Sequence, residues 1–451
     1  MIKTLLISTY ELGRQPFGLA SPAAWLRDAG IEVVCLDLSR QALHEEAVRT
    51  ADLVAFYVPM HTAMRLSLEW LAVVRGLNPR AHICFYGLYA PLNEPYLREH
   101  GVRTVLGGEF EEGLKKLAAG IAQGAAPAPP RVSLARQNFL VPVREGLPPL
   151  RSYAHLVLPG GEHRVAGYTE ASRGCKHLCR HCPIVPVYGG VFRIVQPEVV
   201  LADIRQQVAA GAEHITFGDP DFFNGIGHSL RIVEALPREF PRLSYDVTIK
   251  IEHLLKHAAH LRTLRETRCA FVVSAVESVE DAVLEKLDKG HTRGDFLAVL
   301  DLMRDSGLPL QPTFVPFTPW TTPEGYLELL RVVASEGLAD SVAPVQLAIR
   351  LLIPAGSRLL ELDDIQRVIA PYDARALMYP WRHPDPRMDA LAQRADEIVR
   401  ASEKLNRPRS KTFELLWDAA SDVAAQGSSV PRMPVLASRA AIPYLNEPWY
   451  C

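Results

Sequence analysis

Short apolar runs alternate with amphipathic helical stretches over residues 1–120, and this alternation restricts the chain to a few α/β architectures. The apolar runs are rich in Val, Ile, Leu and Phe, as expected for strands that helices cover on both faces. They are "KTLLIS" (3–8), "IEVVCLDL" (31–38), "ADLVAFYV" (51–58) and "HICFYGL" (82–88). The pattern predicts an open, Rossmann-like parallel sheet, whose ligands usually bind beyond the carboxyl ends of its strands.

A second alternation of strands and helices runs from about residue 165 to 355. It predicts a partial (β/α)6 barrel that is similar to a TIM barrel, because apolar runs are followed by helical stretches. Active sites of such barrels collect at the carboxyl ends of the strands. The predicted strands are "GYTEASRG" (167–174), "HITFGDPD" (214–221), "LSYDVTIK" (243–250), "AFVVSAVES" (270–278), "LPLQPTFVPF" (308–317) and "VQLAIRLLIP" (345–354).

These patterns divide the 451 residues into four predicted segments. The Rossmann-like α/β domain covers 1–121, and an Ala/Pro-rich stretch without periodicity makes 122–150 a linker. The barrel covers 151–355. Residues 356–451 turn helical and irregular, which predicts a C-terminal helical extension and a tail that caps or reaches a site.

The charge balance argues against large polyanionic partners. The formal net charge is −2 and no long run of one sign occurs, so we expect neither nucleic acid nor an anionic membrane as the main partner. No apolar run is long enough to cross a bilayer, and the N-terminus is typical of a buried strand rather than a signal peptide. We therefore expect a cytoplasmic protein with reduced thiols and a small-molecule substrate.

Three of the seven cysteines crowd into "RGCKHLCRHCP" (173–183), directly after the first predicted barrel strand. Cys175, Cys179 and Cys182 have Cys-x3-Cys-x2-Cys spacing. Three thiolates on one short loop can ligate three corners of an iron–sulfur cubane and leave the fourth iron open. An open iron can bind a substrate or cofactor directly, so the spacing predicts a catalytic metal centre.

The competing interpretation is a structural zinc site, completed by His177 or His181, in a protein without catalytic turnover. The sequence has no second Cys-x2-Cys pair to complete the usual tetrahedral zinc ligand set. The cysteines at 35, 84 and 269 lie in apolar strand contexts and are typical of core residues.

The motif "RGCKHLCRHCP", followed by "VYGGVFR" (187–193), resembles the signature loop of the radical SAM enzymes. The resemblance implies a [4Fe-4S] cluster on Cys175, Cys179 and Cys182, whose open iron binds S-adenosyl-L-methionine (SAM). It also implies reductive cleavage of a SAM carbon–sulfur bond and an electron donor such as flavodoxin or ferredoxin. The family often has an aromatic residue before the last cysteine, where this chain has His181.

The resemblance also assigns SAM contacts at other strand ends. "TFGDPDFFNG" (216–225) would put Gly218 and Asp219 near the methionine amino group, and "AVES" would put Glu277 at the ribose hydroxyls. Arg193 is a candidate partner of the SAM carboxylate, and 351–359 takes the place of an adenine-contacting strand end. Each residue also has a structural interpretation, namely a helix cap for Asp219, an ion pair for Glu277 and a surface position for Arg193.

Residues 1–121 resemble the cobalamin-binding-type domain that precedes the barrel in a large radical SAM subgroup. The similarity lies in "FGLASPAAWLRDAGIEVVCLDL" (17–38) and "LREHGVRTVLGGEFEEGLKKLA" (97–118). The Asp-x-His-x-x-Gly motif, which supplies a cobalt ligand in some cobalamin proteins, does not occur. Two interpretations stay open, namely a domain that carries cobalamin and a scaffold or substrate lid without a corrinoid.

The chain stops at "NEPWYC" (446–451), and Cys451 resembles the first cysteine in radical SAM (seleno)proteins with Cys-Cys-Ala-Glu-Pro or Cys-selenocysteine-Ala-Glu-Pro tails. A soft thiol or selenol at a barrel mouth suits trivalent arsenic. The resemblance therefore gives a specific hypothesis, in which Cys451 is catalytic and the 3-amino-3-carboxypropyl group of SAM moves to arsenic, as in arsinothricin biosynthesis. The alternative is a cobalamin-dependent radical SAM methyltransferase or rearrangement enzyme.

The tail hypothesis predicts that the codon after Cys451 is UGA and is read as selenocysteine, so that a short tail follows. Sequencing the next few codons of the gene checks this, and an immediate UAA or UAG would refute it.

Overall fold

The computed structural model describes residues 2–125, 131–424, 433–434 and 443–446. Its N-terminal part contains a six-stranded sheet, as the apolar runs predict. The strands are β1 (Lys3–Ser8), β2 (Glu32–Asp37), β3 (Leu53–Tyr57), β4 (His82–Tyr86), β5 (Thr104–Gly108) and β6 (Val132–Ser133). They lie in the order β2-β1-β3-β4-β5-β6, and all neighbouring pairs are parallel.

Helices cover both faces of this sheet, so successive residues of a strand enter two different cores. In β3, Val54 and Phe56 pack on one face, whereas Leu53 and Ala55 pack on the other. The helices are α1 (Phe17–Asp28), α2 (Glu45–Thr50), α3 (His61–Leu77), α4 (Tyr89–Leu92), α5 (Glu94–Glu99) and α6 (Glu111–Ala122).

A second, seven-stranded sheet has strands at five of the six predicted barrel positions. Its strands are β7 (His155–Val157), β8 (His163–Thr169), β11 (His214–Phe217), β12 (Ser244–Thr248), β13 (Cys269–Glu277), β14 (Leu310–Phe314) and β15 (Tyr444–Leu445), and a separate antiparallel pair is β9 (Ser172–Gly174) with β10 (Phe192–Ile194). The order is β14-β13-β12-β11-β8-β7-β15, parallel from β8 to β14. The sheet is a curled half-barrel, which confirms the predicted fold class.

The sixth predicted barrel strand, 345–354, is not a regular strand in the structure. It begins inside the 3-10 turn Pro344–Leu347 and pairs with the sheet only through a parallel bridge between Phe317 and Arg350. Proline opens that turn because its fixed φ suits a helical start. The barrel is therefore open at this edge.

Helices of the second half pack around the curled sheet and share one core with it. They are α7 (Val185–Tyr188), α8 (Pro197–Ala209), α9 (Ile226–Glu239), α10 (Ile251–Lys256), α11 (Leu261–Glu266), α12 (Asp281–Leu287), α13 (Arg293–Ser306), α14 (Pro323–Ser335), α15 (Asp363–Gln366), α16 (Pro386–Lys404) and α17 (Arg409–Ala424). No helix in the described part of the chain is long and apolar enough to span a membrane.

The C-terminal extension is part of the barrel core rather than a loose appendage. Leu391 and Val399 of α16, with Phe413 and Trp417 of α17, belong to the same buried cluster as the barrel strands. Strand β15 returns to the sheet edge and pairs with β7. This end of the chain therefore reaches the barrel, as the sequence predicts.

Arg144, in the predicted linker, forms hydrogen bonds with both the N-terminal half and the barrel half of the chain. It donates to both carboxylate oxygens of buried Asp203 at 2.7 and 2.8 Å, to the Tyr168 carbonyl at 2.7 Å and to Gln15 of the N-terminal half at 2.8 Å. The side chains of Arg144 and Asp203 are only 8% and 1% exposed. Loss of the guanidinium would leave a buried carboxylate without its cation.

We predict that Arg144→Ala lowers the free energy of unfolding by about 3–5 kcal/mol, the usual cost of an unpaired buried charge. Guanidinium chloride titration followed by circular dichroism measures this loss. Arg205→Ala is the matched control because the Arg205–Glu239 pair is exposed, so we expect a change of about 1 kcal/mol or less. Equal effects of the two substitutions would contradict the assignment.

Candidate functional site

The three clustered cysteines lie on the loop between β9 and α7, at the carboxyl end of the barrel strands. Their thiols are free, with Cys175 and Cys179 buried and Cys182 half-buried. Asn224 lies beside the loop, where its side-chain oxygen is 3.3 Å from the Lys176 amide and accepts its hydrogen bond. One short segment thus presents three soft donors in a largely dry setting.

Two buried lysines accompany these thiols. Lys250 Nζ lies 3.8 Å from Cys179 Sγ. Burial lowers the pKa of Lys289, but Glu277 and the Cys179 thiolate outweigh this effect and raise the pKa above its usual value. A centre ligated by three thiolates carries negative charge, which these ammonium groups offset. The donor set and the charge fit a [4Fe-4S] cluster on Cys175, Cys179 and Cys182.

The zinc interpretation has less support from the same geometry. His181 Nε2 lies 3.2 Å from Glu277 Oε1 and so faces a carboxylate. Donor atoms of Cys175, His177 and Asp221 come within 4.8 Å of one another. That mixed set leaves Cys179 and Cys182 unexplained, whereas a cubane uses all three cysteines.

Glu277 ends β13 in a strained backbone conformation. Its φ is +70°, and the β13–β14 register shifts between Ala275 and Glu277. Such a bulge re-aims a side chain and is common beside active sites. Burial alone would raise the pKa of Glu277, but Lys289 at 3.2 Å and His181 at 3.2 Å hold it at about 2. Glu277 is therefore an ionised acceptor close to the cluster loop.

Asp219 and Gly218 follow β11 and line a cavity together with Cys182. Asp219 accepts hydrogen bonds from the Ala171 amide at 2.9 Å and from the Ser172 hydroxyl. Burial raises the pKa of Asp219 to about 7, although these hydrogen bonds oppose the shift. Gly218 is required by close packing, because a Cβ there would lie 1.8 Å from the Tyr168 hydroxyl oxygen.

Arg193 and the predicted adenine-side segment lie in different settings. The Arg193 guanidinium donates to the carbonyl of Leu134, at 2.8 Å from Nε, and is therefore engaged with the segment after β6. In 351–359, Ser357 and Arg358 donate to the carbonyls of Arg180 and Leu178 in the cysteine loop, at 3.1 and 2.8 Å. Cys451 lies outside the described residues.

A cavity of about 520 Å³ leads from the cysteine loop toward the C-terminal end of the chain. Its volume lies within the usual range for small-molecule sites. Its outer lining includes Arg14, Glu403 and Arg409. Tyr444, Leu445 and Asn446 also line it, so the last described residues of the chain face the cavity.

Several groups at this site have no distinguishing sequence signal. Lys250 and Lys289 are single lysines after unremarkable strands and helices. Asp221 Oδ2 lies 2.6 Å from His253 Nδ1 and 3.3 Å from His177 Nε2. Burial would raise the pKa of Asp221, but both histidines lower it to about 2. The only available signal for Asp221 is its position in "GDPD", directly after a predicted strand.

The sequence profile of the radical SAM superfamily matches residues 169–330. Residues 169–330 form a radical SAM domain. The match begins at the end of β8, contains the three-cysteine loop and extends into α14. A radical SAM domain implies a [4Fe-4S] cluster and SAM as cofactors, and the match confirms the superfamily resemblance of the cysteine motif.

Relatives with curated functions are group-transfer enzymes. The hopanoid C-3 methylase of Methylococcus capsulatus is 24% identical over 331 residues, covering 70% of this chain and 64% of the methylase. The tRNA-2-methylthio-N(6)-dimethylallyladenosine synthase of Desulfosudis oleivorans is 26% identical over 219 residues, covering 46% of each chain. This chain therefore spans less than two-thirds of the length of these relatives.

Two solved structures that are similar in fold, OxsB and TsrM, are radical SAM enzymes with cobalamin bound. OxsB, with aqua-cobalamin and SAM bound, has a TM-score of 0.67 and 13% identity, covering 92% of this chain and 72% of OxsB. TsrM from Kitasatospora setae, a methyltransferase with cobalamin and a [4Fe-4S] cluster bound, has a TM-score of 0.59 and 19% identity, covering 74% and 73%. Because both structures are less than 20% identical to this chain, the similarity establishes the fold of this chain and no more.

A buried ion-pair network joins the N-terminal sheet to the radical SAM domain. Arg173, two residues before the first cluster cysteine, contacts Glu109 at 3.3 Å, Glu111 at 2.7 Å and Glu170 at 2.6 Å. Burial raises the pKa of Glu109 to about 7, although Arg173 opposes the shift. The network lies at the carboxyl ends of the N-terminal strands, where the Rossmann-like fold usually binds its ligand.

We predict that Cys182→Ala abolishes the iron–sulfur cluster after anaerobic reconstitution, because two cysteines cannot hold the cubane. Iron and sulfide analysis, with the visible absorbance that bleaches on reduction, measures the loss. Cys269→Ala is the matched control, since Cys269 begins β13 at the opposite end of the barrel strands. Full iron content in the Cys182 variant would contradict the ligand assignment.

Proposed function

We propose that this protein is a radical SAM transferase that moves a carbon group of SAM to a small molecule held in the barrel cavity. The observation that carries the proposal is the three-cysteine loop opening onto a cavity of about 520 Å³ beside Asp219. A [4Fe-4S] cluster held by Cys175, Cys179 and Cys182 would supply the electron that cleaves a carbon–sulfur bond of SAM. A flavodoxin or ferredoxin in the cytoplasm would provide that electron.

Different residues around the cysteine loop would contact different parts of SAM. Asp219, fixed by Ala171 and Ser172, would accept a hydrogen bond from the methionine ammonium, and Gly218 would lie beside that group. Glu277 is ionised and would accept hydrogen bonds from the ribose hydroxyls. Lys289 and His181 position the Glu277 carboxylate and keep it charged. Arg193 would pair with the SAM carboxylate after its guanidinium breaks the hydrogen bond to the Leu134 carbonyl.

The transferred group is best assigned as methyl. A methylase and methylthio-forming enzymes are among the curated relatives, and these names support methyl transfer over transfer to arsenic. The arsenic hypothesis depends on Cys451, which lies outside the described residues. It keeps one indirect support, because the described end of the chain, Tyr444–Asn446, lines the cavity.

A second candidate is cobalamin-dependent methylation or rearrangement. The observation in its favour is the shared two-domain fold with OxsB and TsrM, both solved with cobalamin. In that case a corrinoid in the N-terminal half would carry the methyl group. The two candidates differ in cofactor content and agree on the cluster, SAM and the substrate cavity.

Product analysis tests the proposed function. The reconstituted full chain is incubated anaerobically with SAM and a reductant, and the products are identified by mass spectrometry. S-adenosylhomocysteine indicates methyl transfer, 5′-deoxyadenosine indicates cleavage beside the adenosyl group, and methylthioadenosine indicates release of the 3-amino-3-carboxypropyl group. A colourless protein with stoichiometric zinc and intact SAM would falsify the proposal.

We predict that Glu277→Gln weakens SAM binding about 10- to 100-fold, the usual effect of losing a charged hydrogen-bond acceptor. Equilibrium dialysis with radiolabelled SAM measures affinity on the reconstituted protein. Glu234→Gln, on the exposed face of α9, is the control and should bind SAM like the unchanged chain. Unchanged affinity in the Glu277 variant, with the cluster intact, would remove Glu277 from the SAM site.

A further inference from the structure

The crevice beyond the carboxyl ends of the N-terminal strands is where a Rossmann-like domain holds its ligand. We propose that this crevice binds no corrinoid and that the N-terminal sheet instead clamps the cluster loop through Arg173. The proposal favours the first candidate function over the second, which needs a corrinoid in the N-terminal half. It rests on the proposed function only in placing the cluster on the adjacent cysteine loop.

Aromatic side chains fill the centre of the crevice. Tyr57 and Tyr86 end β3 and β4 and are 7% and 0% exposed. Their ring centroids lie 5.3 Å apart, and Phe110 lies 5.8 and 5.0 Å from them. Tyr86 also donates to the Gly18 carbonyl at 2.8 Å. The rings of Tyr57, Tyr86 and Phe110 therefore occupy the space that the planar corrin ring would need.

The fit between α1 and these rings is tight. A Cβ on Gly18 would lie 2.1 Å from the Tyr57 ring, so even one added methyl group has no room. A void beside Phe17, Ser21 and Glu170 measures about 10 Å³. That volume is at the lower limit for a single water molecule. The described side chains consequently do not fit a corrin ring.

The outer strand ends are occupied as well. Asp37, which ends β2, accepts a hydrogen bond from the Tyr153 hydroxyl at 2.7 Å. Gln15, which follows β1, donates to the Pro148 carbonyl at 2.8 Å and accepts from Arg144 at 2.8 Å. Residues of the linker and barrel thus engage Asp37 and Gln15 at these two strand ends.

Two carboxylates that follow β5 bind the cluster loop. Glu109 and Glu111 of the N-terminal half both contact Arg173, which is 7% exposed and lies on β9 directly before Cys175. Tyr188 of α7, on the other side of the cysteine loop, donates to Glu109 at 3.2 Å. The carboxylates therefore hold both ends of the cluster loop, a positioning role in place of cofactor binding.

Corrinoid analysis of the full chain tests the first half of the proposal. The protein is produced in cells supplied with hydroxocobalamin, and the reconstituted protein is also incubated with hydroxocobalamin and desalted. We expect a full iron content and no corrinoid above that of an unrelated control protein. Stoichiometric corrinoid in either preparation would overturn the proposal, whereas absence of iron would instead count against the proposed function.

The clamp is tested with the double variant Glu109→Gln and Glu111→Gln. We expect the electron paramagnetic resonance spectrum of its reduced cluster with SAM to broaden or shift, because the loop loses its anchoring charges. Glu112→Gln is the matched control, since Glu112 pairs with Lys115 and Lys116 at the surface. A double variant with the control's spectrum refutes the clamp, and an unfolded one leaves the corrinoid measurement to decide.

Discussion

Compensation of negative charge in a dry barrel is the constraint on which the rest of this structure depends. The three cysteine sulfurs that would ligate the cluster lie close to the ionised Glu277, and buried charge is stable only with a partner. Lys289 serves both, because it contacts Glu277 at 3.2 Å and interacts with the Cys179 and Cys182 thiolates. Lys250 adds a second ammonium group beside Cys179. These two cations would offset the negative charge of a cluster bound by the three-cysteine loop.

The same constraint explains the contact between the two halves of the chain. Arg173 brings a charge into the interface, and three carboxylates surround it. Since two of them come from the N-terminal half, the Rossmann-like domain is coupled to the cluster loop. Arg144 makes a second buried connection through Asp203. The likeness to cobalamin-dependent enzymes is one of fold.

Much of the fold could be predicted from sequence, because strand runs and cysteine spacing are local patterns. The runs that form β1 to β4 and β11 to β14 are continuous apolar segments, and the cysteine motif lies on the loop that follows β9. The prediction of a sixth barrel strand is wrong, since a turn opened by Pro344 occupies the start of that segment. The sequence does not predict the roles of Lys289 and Arg173, for a different reason. Their roles arise from partners distant in sequence, and no spacing rule encodes such contacts.

The central claim is that the cluster on Cys175, Cys179 and Cys182 has one iron open to SAM. Electron–nuclear double resonance on the reduced cluster, with SAM labelled with ¹⁵N at its amino group and ¹⁷O at its carboxylate, tests it most directly. The account predicts hyperfine coupling of both labels to the cluster, which Cys182→Ala abolishes. A fully formed cluster that shows no coupling to either label would contradict it.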